Sequence, residues 1–364
     1  MLQIQLNTDC EGPLALNDNA FELCREFMKP HGDRFFNQVS RYGDYLADLA
    51  RKPEYQAGDT LKFILPFLKA HGVSNAMSRD FSSQNIRLVP GAEEAYRFLH
   101  SFKFPIFEIS TSYRQFAEAV GAKLGFDAKQ IFGTELDLDR PQLAPAEAEE
   151  LRRLEEEILA APAIELPPGA TALTDLPGPV QEAITRLDRI FFERLPQMEI
   201  GAIYREVKPV GRAEKAQAVA DGLAQTGFTL ADTIYVGGSS TDVQAFAAVR
   251  AGGGLAVSFN GDRAAVQAAE VVVVTDCAWP IALFTAIFRQ WGKEGVIEIA
   301  APETRAKSRA LVLPEEMIEP IAIGLQGHIF NLYLSNNPDL EKIIQESAAM
   351  GARLRGEAIA GSEQ

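Results

Sequence analysis

Residues 2–8, Leu2-Gln3-Ile4-Gln5-Leu6-Asn7-Thr8, run directly into Asp9-Cys10-Glu11-Gly12-Pro13. The first segment reads as a short strand. The second is a turn, because a Gly-Pro pair cannot continue a strand. Asn17, Asp18 and Asn19 then offer N-caps for a helix beginning near Ala20. A strand whose carboxyl end carries Asp9 and Glu11 and leads to a helix is the opening unit of a parallel α/β sheet.

Working outward, residues 20–85 read as mostly helical, with Phe35, Phe36, Val39, Tyr42, Leu46 and Leu49 at near-helical spacing. Gly58-Asp59 interrupts, and residues 60–69 make a further helix that Pro66 should kink. A helix over 90–102, a strand over 105–109, a Ser110-Thr111-Ser112 turn and a helix over 116–124 repeat the α/β unit, and 130–138 holds another short strand. Composition shifts over 139–205. A charged helix (145–159), a Pro/Gly-rich stretch (162–179) and a helix (180–195) read as an insertion.

Alternation returns with a helix over 212–225, strands over 233–236, 255–259 and 271–275, and helices over 241–249 and 262–269. Strands alternating with helices predict a parallel sheet. Residues 280–354 read as largely helical. Gly252-Gly253-Gly254 precedes a strand instead of joining strand to helix, so it reads as a connection, not a phosphate loop.

Composition limits the function. The chain has 364 residues, 47% apolar, with a formal net charge of −15. Such a charge repels nucleic acid and anionic membranes. Cys10, Cys24 and Cys277 show no paired spacing, which argues against a disulfide framework or a structural zinc site. His31, His71, His100 and His328 likewise lack metal-ligand spacing. No signal-peptide pattern or bilayer-length apolar run is seen, so a cytoplasmic protein is expected.

Open parallel sheets bind ligands at the carboxyl ends of their strands. Four turns stand there: Asp9-Cys10-Glu11, Ser110-Thr111, the helix start near Lys215, and Gly237-Gly238-Ser239-Ser240-Thr241-Asp242. They supply carboxylates, a hydroxyl and an ammonium, the inventory of phosphoryl transfer. One carboxylate can attack phosphorus, a second can move the proton, and the cation and hydroxyl can hold phosphoryl oxygens.

In this order the four turns resemble the four motifs of the haloacid dehalogenase superfamily. The likeness covers roughly residues 2–16, 86–138 and 207–276. It implies a three-layer Rossmann-like core (1–16, 86–138, 206–280), a helical cap after the first strand (17–85), an insertion (139–205) and a helical C-terminal extension (281–364). Asp9-Cys10-Glu11-Gly12-Pro13 with Asn17 to Phe21 and the cap is also similar to a group found mainly in methanogens, energy-converting hydrogenase A subunit R.

The superfamily resemblance implies a magnesium-dependent phosphatase of a small phosphorylated metabolite, working through an aspartyl-phosphate. Asp9 would be the nucleophile and Glu11 the acid/base. Ser110 or Thr111, with Lys215, would bind phosphate; Lys208 is the rival of Lys215. Asp9, the Glu11 carbonyl and Asp242 would surround Mg2+. Two positions depart from the pattern: Glu11 replaces the usual aspartate, and Gly238 stands where a metal-binding aspartate is usual. Two other readings stay open, a catalytically weak subunit with a protein partner or as a homo-oligomer, and a phosphotransferase to an alcohol.

Overall fold

The structure, a computed structural model, describes residues 2–167, 169–301 and 313–361. Parts of the expected C-terminal extension, 302–312 and 362–364, lie outside the described residues. The described residues form a mostly parallel seven-stranded sheet with helices on both faces. Its strands are β1 (Gln5–Thr8), β2 (Ile106–Tyr113), β3 (Ile131–Thr134), β4 (Thr233–Gly237), β5 (Leu255–Phe259), β6 (Val271–Thr275) and β7 (Phe330–Leu334). The order is β3-β2-β1-β4-β5-β6-β7, parallel throughout except for β7. Succession runs outward from β1 to β3 and then returns beside β1 at β4. The crevice between the ends of β1 and β4 is therefore the switch point, where such sheets bind ligands.

Alternation along the strands produces the three layers. Ile234 and Val236, Leu255 and Val257, and Val271 and Val273 pack against the helices Ala92–His100, Arg114–Leu124 and Trp279–Ala300. The intervening Tyr235 and Ala256 face the other way, onto Arg212–Thr226 and Val243–Ala251. Val272 and Val274 meet Ile343 and Leu354 of Leu340–Gly361. Strands buried on both faces are why the sequence shows near-continuous apolar runs there.

A second hydrophobic core lies apart from the sheet. It joins residues of the first helical segment, such as Phe35, Tyr42, Phe63 and Phe67, to Leu151, Leu154, Ile184 and Phe191 from beyond residue 139. Phe63 stacks on Phe191 with ring centroids 4.3 Å apart. The Tyr42 hydroxyl donates to Asp188, and His71 meets Glu155 at 2.7 Å. Two segments far apart in sequence thus share one apolar interior.

The expected helix is present as Thr60–Ala70 with Pro66 inside it, and burial of Leu61, Phe63, Ile64, Leu65, Phe67 and Leu68 offsets the roughly 3 kcal/mol cost of an interior proline. Two expectations are corrected. Residues 110–112 belong to β2, not to a turn, and the helix begins at Arg114. Residues 280–354 include the antiparallel strand β7. Phe330, Leu332 and Leu334 reach the core while Asn331 and Tyr333 alternate with them, so β7 covers the edge of β6. Among the described residues, no helix is long and apolar enough to cross a membrane.

Candidate active site

Asp9 follows the last residue of β1, and its N–H donates to Val236 of β4 at 2.8 Å, so it sits at the switch point. The residue is 4% exposed overall, which makes the partners of its carboxylate decisive. Oδ1 accepts the Cys10 N–H at 2.8 Å. Oδ2 lies 2.9 Å from the Lys215 ammonium. Lys215 comes from the first turn of Arg212–Thr226 and is fully buried.

Lys215 also binds Asp242 Oδ1 at 2.7 Å. That same oxygen accepts the Tyr235 hydroxyl at 2.9 Å. Asp242 Oδ2 accepts the N–H groups of Gly238 and Ser239, each at 2.9 Å, and the Ser239 hydroxyl at 3.3 Å. Both oxygens of Asp242, which the sequence reading assigned to a metal, are thus occupied by protein donors. Asp242 also orients Lys215. The two glycines of this turn are required by close approach. A Cβ on Gly237 would lie 2.4 Å from the Asp242 carboxyl carbon, and one on Gly238 would lie 2.8 Å from the Phe259 carbonyl oxygen.

The charges follow from this packing. Burial and then the charge of Asp242 push the Asp9 pKa above the ordinary carboxylate range, against the pull of Lys215. Burial alone would lower the Lys215 pKa, but attraction to Asp242 and then Asp9 outweighs it and holds the ammonium charged. Glu11 is half-buried. Loss of water and then the charge of Asp18 push its pKa up, against a 2.9 Å hydrogen bond from the Asn19 N–H and another from Ser112. A carboxyl so raised carries a proton it can give away.

Asp9 and Glu11 line a cavity of about 510 Å³ between the sheet and the helical segment. Asp18, Asp44, Asp48 and Asp262 line it too. Arg355, from the C-terminal helix, is the one lysine or arginine among its described lining residues. Thr111 reaches this wall, and its hydroxyl donates to the Val210 carbonyl at 2.9 Å. Ser110 does not line the cavity; it is fully buried, and its hydroxyl accepts the Ser112 N–H. Lys208 is exposed. Of the expected residues, Asp9, Lys215 and Asp242 are in direct contact, and Glu11 and Thr111 share the cavity of Asp9.

Sequence reasoning missed Tyr235, Asp262, Arg355 and Glu108. For Glu108 a signal existed: a carboxylate inside the apolar run Ile106-Phe107-Glu108-Ile109. It is fully buried behind Asp9, with the Cys10 thiol near its carboxyl. Burial raises its pKa from an ordinary 4.5 to about 8, with the charge of Asp9 adding and the thiol opposing. Because the folded chain holds this proton more tightly than the unfolded one, the site costs nothing below pH 4.5. Stability is then lost as pH rises towards 8. Glu108→Gln should remove this slope, about 1.4 kcal/mol per pH unit. Urea midpoints of the two proteins should converge at acid pH and separate in favour of the variant towards pH 8.

No family model matches the chain, and no curated protein does. Among solved structures, gene product AF1437 from Archaeoglobus fulgidus is similar at 29% identity, with a TM-score of 0.77. That likeness spans 98% of this chain and 97% of the other. A substrate-bound phosphoserine phosphatase complex aligns over 75% of this chain and 93% of its own at 13% identity. Its TM-score of 0.44 is too slight to carry function.

Proposed function

We propose that this chain is a phosphoryl-transfer enzyme of haloacid dehalogenase type that hydrolyses a small phosphorylated metabolite. The observation that carries the reading is the Asp9 carboxylate, clamped by Lys215 at 2.9 Å at the switch point of a parallel sheet and opening onto a cavity of about 510 Å³. That volume suits a small metabolite.

The chemistry uses residues of this wall. Asp9 attacks phosphorus while the bond from phosphorus to the leaving oxygen breaks, and Glu11 gives that oxygen its proton. Water then attacks the aspartyl-phosphate, Glu11 takes a proton from it, and phosphate leaves with Asp9 restored. The Asn19 N–H and Ser112 orient Glu11 for both transfers. Lys215 offsets charge beside Asp9, and Asp242 with Tyr235 keeps Lys215 in place. Arg355 is placed to pair with an anionic group of the substrate.

Asp9 and Glu11 share the cavity wall, and the Asp9 carboxylate with the Glu11 carbonyl would offer oxygen donors to a hard divalent cation such as magnesium. Bound there, magnesium would neutralise the phosphoryl oxygens.

One observation favours a second reading, a binding subunit without turnover. Gly238 offers no carboxylate, and the Phe259 carbonyl leaves no room for a side chain there. Purified protein incubated with a panel of phosphorylated metabolites decides between the two. The enzyme reading expects phosphate release that rises with added magnesium. Absence of both release and magnesium binding establishes the second reading.

A further inference from the structure

Another group of ligating side chains stands away from the Asp9 cavity, at the junction of β6 and β7. The antiparallel pairing brings Thr275 opposite Phe330. The residues just after β6 and just before β7 therefore meet. Asp276 and Cys277 come from the first segment, and His328 from the second. None of the three lines the cavity of Asp9.

His328 Nδ1 lies 3.0 Å from Asp276 Oδ1, which also accepts the Ile329 N–H at 2.9 Å. The imidazole nitrogen, the carboxylate oxygen and the Cys277 sulfur all lie within 4.8 Å of one another. Ligands around a tetrahedral zinc ion, with bonds of about 2.0–2.3 Å, stand about 3.5 Å apart. Rotations of side chains that already face one another would close the difference.

The Trp279 N–H, at the start of the long helix Trp279–Ala300, donates to the Cys277 sulfur, and the Thr275 hydroxyl lies 3.8 Å from it. Arg353 sits 3.6 Å from the other oxygen of Asp276, so it balances charge and leaves Oδ1 facing the histidine and cysteine. The His328 side chain remains one-third exposed, which gives an ion a route in from water.

We infer that Asp276, Cys277 and His328 form a site for a borderline-soft divalent cation of the zinc type, with a fourth position open to water. Sulfur, nitrogen and one carboxylate are the ligands zinc takes, whereas magnesium demands oxygen. The ion would join the edge strand β7 to the parallel sheet. This site is independent of the reading given to Asp9.

Cobalt(II), added to the full chain after chelator treatment, distinguishes the two sites. At this site it should bind with one equivalent and give thiolate-to-cobalt charge-transfer absorption. Cys277→Ser should abolish that band. His328→Asn, a change at a ring one-third exposed, should weaken binding by on the order of tenfold or more. Asp9→Asn should leave the band untouched. Circular dichroism of each variant guards against misfolding. A wild-type protein with no charge-transfer band, or a band that survives both Cys277→Ser and His328→Asn, overturns the site. Cobalt bound without the band is held by oxygen donors, and also overturns it.

Discussion

Asp9→Asn should lose phosphate release by roughly 10³-fold or more, because an amide cannot form the acyl-phosphate. The substitution is nearly isosteric, so loss of activity should not reflect loss of the fold. Both oxygens of Asp9 accept, one from the Cys10 N–H and one from Lys215. Asparagine has a single acceptor, which leaves one buried donor unpaired at a cost of about 1–3 kcal/mol. Removing a repelled, buried charge offsets part of this cost. Phosphate assays and mass spectrometry after acid quench provide the check. The wild type should carry a phosphate on the peptide containing Asp9, and the variant none. A variant that keeps wild-type turnover would rule Asp9 out as the nucleophile.

Lys215→Met should have the largest effect on stability. It keeps the apolar stem and deletes the charge that lies between Asp9 and Asp242. Two carboxylates are then left buried without their cation, which costs about 3–5 kcal/mol. The sign with pH follows from linkage. Without the ammonium, burial holds the Asp9 carboxyl still further above its unfolded-state pKa. The folded variant therefore gains relative stability as pH falls and Asp9 takes up a proton. Denaturant midpoints of wild type and variant should lie far apart at neutral pH and draw together in acid. Equal midpoints at neutral pH would show that the triad does not carry a buried charge. Turnover should be lost along with the stability, since Lys215 also restrains Asp9.

Tyr235 and Glu108 show why part of this site was hidden. Nothing in the spacing of Tyr235 announces that its hydroxyl supports Asp242, because that contact depends on how the Gly237-Gly238 turn folds back. Glu108 stood out by type, but its position behind Asp9 depends on the β1–β2 register, which pairs Thr8 with Glu108. Asp262 and Arg355 reach the cavity from β5's following turn and from the C-terminal helix, elements distant in sequence from Asp9. The group of Asp276, Cys277 and His328 is similar. The sequence separates His328 from Cys277 by a helix and more, so no ligand spacing exists to read.

What could be read from residues alone was whatever depends on neighbours in the chain. Apolar strands ending in polar turns, the helix starts, and the order of Asp9, Lys215 and Asp242 are local patterns, and each follows from backbone preference and hydrophobic period. Tertiary packing decided the rest. It placed β7 on the sheet edge, merged the helices on either side of β2 and β3 into one core, and filled the oxygens of Asp242 with protein donors. The physical reason is range: propensity acts over a few residues, whereas burial, charge pairing and hydrogen-bond saturation depend on groups that only folding brings together.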